Sequence, residues 1–156
     1  MKIKKYLWII AAVVIIVIID QTIKFGFVQY WGNTDITVIN NALNITYVEN
    51  QGMAFGIGLG SRITIILMNV TVITLIIYFI ISRKEQLDMT ILTSLSLILA
   101  GGIANLIDRI FRGYVIDYIN VLPQTSFPVF NISDICIDAG AILLGITIVM
   151  YWIRKK

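Results

Sequence analysis

Asp117 and Asp134 are the residues of this chain whose type and placement point to chemistry. They flank a loop containing Pro123 and Pro128, in a sequence of which 13% is charged and 58% hydrophobic. Carboxylates set among apolar segments are costly and mark functional positions. Two carboxylates sharing one site do not both ionise cheaply, so one pKa rises and the pair holds a proton. One member can then take a proton from water while the other protonates a carbonyl oxygen or a leaving amine. That acid–base hydrolysis needs neither histidine nor metal.

Spacing alone leaves other roles open. Asp134 is a good N-cap for the apolar segment that follows it, and Asp117 has Arg109 and Arg112 nearby in sequence as ion-pair partners. Asp138 lies one turn beyond Asp134 on the same helical face, where it could replace either carboxylate or pair with Lys24. The composition removes several competitors. There is no histidine, which excludes Ser-His catalysis, HExxH zinc chemistry and histidine-ligated haem. The single cysteine, Cys136, cannot form an intrachain disulfide and has no activating base beside it, so it reads as a packed thiol. No cofactor or metal is expected.

The segments that must hold these acids are long and apolar. Mean hydropathy is +0.90. Apolar runs give four expected helices at about 6–28, 62–82, 88–107 and 134–153, each long enough to cross a bilayer as a helix. Ile63–Ser82 lacks the polar stripe that a helix of a water-soluble core keeps. The expected fold is an all-α membrane protein with four transmembrane helices, and residues 1–156 form one integral membrane domain. The basic, apolar start resembles a signal peptide, but no small-x-small cleavage site precedes Asp20-Gln21, so the first helix is expected to stay.

Eight of the twelve basic residues fall in three clusters: before the first helix, between the second and third, and after the fourth. Four crossings put all three on one side. Positive residues stay cytoplasmic, so both termini are expected in the cytoplasm and the acids near the opposite face. The net charge of +3 is then a topology signal, and no nucleic-acid partner is expected.

Asp20 and Lys24, four residues apart, share a helix face. They read either as an interfacial pair with Lys24 snorkelling to the headgroups or as part of a polar network near the acids. Within the outer region 32–60, Thr37–Ile39 and Leu43–Val48 read as short strands separated by an Asn40-Asn41 turn. They form a small extracytoplasmic β-sheet between the first two helices, followed by the glycine-rich Gly56–Gly60. That run lacks the Lys-Ser/Thr of a phosphate loop. Residues 108–133 form an outer loop. Asn69 is expected to bond a neighbouring helix, and the small residues near Gly101-Gly102 to pack against Ala141 and Gly145.

Five motifs, in order and spanning nearly the whole chain, carry a resemblance: Asp20-Gln21-x-x-Lys24, Asn50-x-Gly52-x-Ala54-Phe55, Asn105-x-x-Asp108-Arg109, Gly113-x-Val115-x-Asp117-Tyr118 and Phe130-Asn131-x-x-Asp134. The chain resembles the lipoprotein signal peptidases (type II signal peptidases), four-helix aspartyl peptidases of bacterial inner membranes. Ala104, Tyr118 and Ser133 stand where that family usually has Gly, Phe and Ala. The resemblance implies that Asp117 and Asp134 are the catalytic dyad. It implies that Asn50, Gly52, Asn105, Arg109 and Asn131 line the site and meet substrate backbone, with Asp20, Lys24 and Asp108 supporting the network. The implied substrate is a diacylglyceryl-modified prolipoprotein, cut before the lipidated cysteine near the extracytoplasmic face. The expected enzyme is a monomer in contact with membrane lipid. The competing classes are a proton-coupled carrier, which needs acids at mid-membrane and a broken helix, and a scaffold using the acids as caps. The intramembrane aspartyl class marked by Gly-x-Gly-Asp is excluded because that tetrapeptide does not occur. Lys24 has no helical serine partner for a Ser-Lys mechanism.

Overall fold

Four helices carry the chain, and the last three open where the sequence supplies a side-chain partner for a free backbone N–H. In the computed structural model, which describes residues 2–32, 35–54, 57–58 and 61–155, α1 spans Lys2–Gly26 and passes into a π-helical turn, Phe27–Trp31. Helix α2 covers Arg62–Ser82, α3 Met89–Phe111 and α4 Ile132–Arg154. The Ser61 hydroxyl accepts the Thr64 N–H to open α2, and the Asp88 carboxylate accepts the Ile91 N–H at 2.8 Å to open α3. Both are N-caps. α4 opens with a capping box in which Asn131 is the cap and Asp134 the residue three further on. Helices of 21 to 25 residues span about 30 Å, the thickness of a hydrocarbon core. Among the described residues these four are long and apolar enough to cross a membrane.

α3 is the helix that the others surround. In its most apolar stretch 56% of residues are buried, against 6%, 6% and 11% in α1, α2 and α4. The outward faces of those three carry exposed Trp8, Leu67, Tyr78, Ile142 and Trp152, a surface suited to lipid. Lys5 reaches the Leu87 carbonyl and Tyr6 the Lys84 carbonyl, while Gln21 and Lys24 meet Ala104 and Asn105. α1 and α3 therefore run parallel. Contacts between Asn105 and Asp134 at one end, and Ser94 and Gly140 further along, set α4 antiparallel to them.

The close packing of α3 on α4 rests on Gly101 and Gly140. A Cβ at Gly101 would stand 2.2 Å from the Ser133 carbonyl oxygen, and one at Gly140 would stand 2.6 Å from the Ser94 oxygen. Neither backbone can withdraw without separating the helices. This corrects the pairing expected from sequence: Ala141 and Gly145 are not the contact, and nothing lies within 4 Å of a Cβ on Gly145. Gly140 is offset from both by its place on the helical wheel. Asn69 does reach across helices, donating to the Gly102 carbonyl at 3.3 Å.

The sheet is larger than the two strands read from the sequence. β1 (Ile36–Ile39) and β2 (Leu43–Asn50) are joined by an Asn40–Ala42 turn with Asn41 at φ 56°, a conformation asparagine tolerates. A short hairpin follows, β3 (Met53–Ala54) with β4 (Ile57–Gly58). Gly56 and Gly60 of the glycine run lie outside the described residues. The third strand of the main sheet is β5 (Val115–Val121), from the segment expected to be loop, and the antiparallel order is β1-β2-β5. Asp117 and Asn120 interrupt the β-branched and aromatic Val-Ile-x-Tyr-Ile-x-Val stretch, which hid the strand. α3 also runs on to Phe111, past the acid at Asp108. On the helix-facing side of β5, Ile116 and Tyr118 pack with Phe27, and Tyr118 and Phe27 stack at 4.7 Å. That cluster fixes β5 to the end of α1.

Candidate active site

Asp117 lies mid-strand on β5 and Asp134 in the first turn of α4, and one asparagine ties them together. The Asn131 side-chain amide donates to Asp117 Oδ1 at 2.6 Å. Its backbone N–H donates to Asp134 Oδ2 at 3.1 Å, and its side-chain oxygen accepts the Asp134 N–H at 2.9 Å. The capping box thus orients one carboxylate while the capping side chain holds the other. Asn131 is wholly buried, and its amide also donates to the Ile116 carbonyl and Asn105 Oδ1, both at 3.3 Å. Both amide hydrogens of Asn131 are therefore engaged, and its side chain holds the two carboxylates in place.

Two further amides complete the acceptor shells. Asn50, at the end of β2, donates to Asp117 Oδ2 at 2.9 Å. The antiparallel register sets Val48 opposite Asp117, so Asn50 lies diagonally across on the same face, within reach of a long pair. The Asn50 oxygen accepts the Gly52 N–H at 2.8 Å, and Gly52 holds φ 108° with a Cβ position only 2.1 Å from Ile65 Cδ1. Only glycine fits that turn. From α3, Asn105 donates to Asp134 Oδ1 at 2.8 Å.

Behind Asn105 lies a buried charge network. Lys24 is fully buried, 2.7 Å from Asp20 and 2.8 Å from Asp108, and donates to Asn105 Oδ1 at 3.0 Å. The lysine does not snorkel, and it pairs neither with Asp138 nor with headgroups. By holding the Asn105 oxygen it turns the Asn105 NH₂ toward Asp134. Asp108 also pairs with Arg112 and accepts from Gln21 at 3.0 Å and from the Ile116 N–H at 3.4 Å, joining α1, α3 and β5. Arg112 is therefore taken by Asp108 and Gln21, and the expected alternative of an Asp117–Arg112 pair is not what forms. Gln21 and Arg112 were missed as network members, although the i,i+4 spacing of Asp108 and Arg112 is a legible signal.

Arg109, one turn beyond Asn105, bonds the Asn105 carbonyl at 3.3 Å while its charge bears on Asp134, Asp117 and Asp108. It forms no direct ion pair with Asp117. Its Nε is buried without an acceptor among the described residues. Asp138 is exposed and outside the network.

Burial pushes the Asp117 carboxyl up to about 6 against the downward pull of the Asn50 bond; the Asp134 charge adds to the rise, and Asn131 and Lys24 oppose it. Counted together, Lys24, Arg109 and Arg112 give three positive charges against four carboxylates, so one proton on the Asp117–Asp134 pair leaves the cluster neutral. A cavity of about 280 Å³ lined by Val48, Asn50, Gln51 and Pro128 opens onto Asp117, giving a substrate a route to it.

Four membrane-length helices with a buried carboxylate pair at one end give the architecture of a polytopic membrane protein with an acidic site. The family model for signal peptidase (SPase) II matches residues 12–150, and the chain belongs to that family. A lipoprotein signal peptidase of Geobacillus kaustophilus is 37% identical over 153 residues, covering 97% of each chain. One from Halothermothrix orenii is 36% identical over 146 residues, covering 92% of this chain and 94% of that one. A bacterial membrane enzyme solved by the in meso method at 2.3 Å superposes with a TM-score of 0.86 at 31% identity, covering 95% of this chain and 91% of that one. The protein is thus a multi-pass bacterial membrane protein and an aspartic peptidase, of a family that removes signal peptides from prolipoproteins.

Proposed function

We propose that this chain, as a single membrane peptidase domain, removes the signal peptide of a diacylglyceryl-modified prolipoprotein by cutting before the lipidated cysteine, with water activated between Asp117 and Asp134. The observation that carries the reading is the placement of both carboxylates on one buried asparagine, Asn131, with amides turned to their remaining oxygens. An ionised member of the pair takes a proton from water as its oxygen attacks the carbonyl carbon of the residue before the cysteine. The protonated member gives its proton to the carbonyl oxygen. Collapse of the tetrahedral adduct returns that proton and moves the other onto the leaving amide nitrogen, freeing the lipidated N-terminus. Arg109, with a buried donor to spare, stabilises the developing oxyanion or the neighbouring substrate carbonyl. Asn50 and Gly52 shape the wall that receives the extended substrate.

The clustering of Lys5, Lys84 and the C-terminal basic residues at one end of the helices supports cytoplasmic termini and a site toward the outer face. The protein acts as a monomer among lipids. The test is to incubate purified protein with a prolipoprotein bearing the diacylglyceryl group and with the same precursor unlipidated, and to read fragment masses. The lipidated precursor is cut at the bond before its cysteine and the unlipidated one is not. A cut elsewhere, or equal cutting of both, overturns the reading.

A further inference from the structure

Asp138 is a carboxylate inside a membrane-length helix that the catalytic arrangement leaves unused. It is exposed, and among the described residues it has no hydrogen bond or ion pair. Its surroundings follow from the rotation of α4. Ser133, Ile137 and Gly140 face α3. Cys136 lies on the flank where the charge of Asp20, on α1, is felt. At 100° per residue, Asp134, Asp138, Ala141 and Gly145 form the opposite flank. α2 packs on α3 through Asn69 and Ile73 around Gly102, and both α2 and α4 pack on α3 rather than on each other. The flank of α4 bearing Asp138 therefore lies toward the side of α3 that carries α2, and it leads along the helix to Asp134. Ala141 and Gly145 are exposed along it, and Gly145 meets open space.

We propose that Asp138 is a specificity-determining residue: it accepts a hydrogen bond from a hydroxyl or amide side chain in the signal-peptide segment of the substrate, just upstream of the scissile bond. The proposal rests on the peptidase reading above. A peptide whose scissile bond reaches Asp134 must run on into the bilayer, and the exposed flank of α4 that continues from Asp134 is a path for it. Asp138 lies about 6 Å along the helix from Asp134, a span of two residues of extended chain or four of helix. A carboxylate at that depth is costly unless the occupant supplies a donor. The small side chains at Ala141 and Gly145 let a peptide backbone approach α4 closely enough to supply one.

The test is a set of diacylglyceryl peptides with threonine or its near-isostere valine at each of the second to fifth residues before the cysteine. These are cleaved by the wild-type protein, Asp138→Leu and Asp138→Asn in the same detergent. At one position the wild type prefers threonine by five-fold or more in kcat/KM, carried in KM. Asp138→Leu brings that ratio to about one, and Asp138→Asn, which keeps an acceptor, retains part of it. A ratio near one in the wild type, or an unchanged ratio in Asp138→Leu, overturns the proposal and leaves the peptidase reading standing. Absence of cleavage of every peptide by the wild type overturns both. A photoreactive residue at the preferred position labels α4 between Asp138 and Gly145, a readout independent of turnover; labelling confined to α1 overturns the proposal.

Discussion

At the scale of single residues, the tension is between burial and bonding. Asp117 is 2% exposed and accepts two amide bonds, yet burial wins and lifts its pKa from 3.8 to about 6. A carboxyl held higher in the folded than in the unfolded chain binds more protons when folded between those values. Stability is then greatest below the unfolded pKa and falls as pH rises toward 6, by on the order of 3 kcal/mol for a shift of that size. Asp117→Asn removes the titration. Thermal unfolding in detergent from pH 4 to 7 is expected to show the wild type losing stability relative to the variant; parallel profiles would contradict the assignment. The buried lysine makes a second prediction. Lys24→Met leaves Asp20 uncompensated and strips Asp108 of one of its two cations, with an expected cost of about 3–5 kcal/mol and loss of activity through a freed Asn105. Asp20→Asn removes a carboxylate whose Oδ1 has no donor among the described residues and is expected to cost less. Comparing denaturation midpoints of the two variants checks the order.

At the scale of elements, the site is built where the end of α3 and the start of α4 meet the middle of β5. β5 brings Asp117, the first turn of α4 brings Asp134, and the last turns of α3 bring Asn105 and Arg109. The α3–α4 contact sets the distance between them, so substitutions remote from the acids should matter. Gly101→Ala places a Cβ against the Ser133 carbonyl, beside Asp134. It is expected to destabilise by about 1–3 kcal/mol and to lower activity, whereas Gly145→Ala, facing open space, should stay within about 0.5 kcal/mol of wild type. Melting temperatures of both variants, with cleavage rates, test this. The helices were legible in the sequence, because an uncharged apolar run of membrane length satisfies its backbone in lipid only as a helix, and so was the Asn40-Asn41 hairpin. β5 was not legible. Asp117 and Asn120 break its apolar pattern, and its pairing with β2 is long-range. The choice of Gly140 over Gly145 was likewise invisible, since it depends on the rotation of α4 about its axis. Of the site, the acids and amides stood out by motif. The division of labour between Asn131, which positions, and Arg109, which keeps a free donor, required the hydrogen-bond geometry.

At the scale of the whole molecule, charge is sorted along the helices and burial across the bundle. Basic residues gather at one end, the acid network at the other, and α3 supplies the buried core between apolar outer faces. This arrangement predicts cytoplasmic termini. In a Cys136→Ala background, cysteine placed at Lys155 should resist a membrane-impermeant thiol reagent in intact spheroplasts, while cysteine at Gln124, an exposed position beside the sheet, should react; the reverse pattern would invert the topology. The central claim is that two carboxylates, held by one asparagine, do the hydrolysis. Its most direct measurement is the single-turnover cleavage of a diacylglyceryl prolipoprotein by the wild type, Asp117→Asn and Asp134→Asn, all at matched folded concentration. Each variant is expected to lose at least about a thousand-fold in rate, since the members of a catalytic unit fail together, while remaining folded and membrane-inserted. Retention of near wild-type cleavage by either variant would contradict the account.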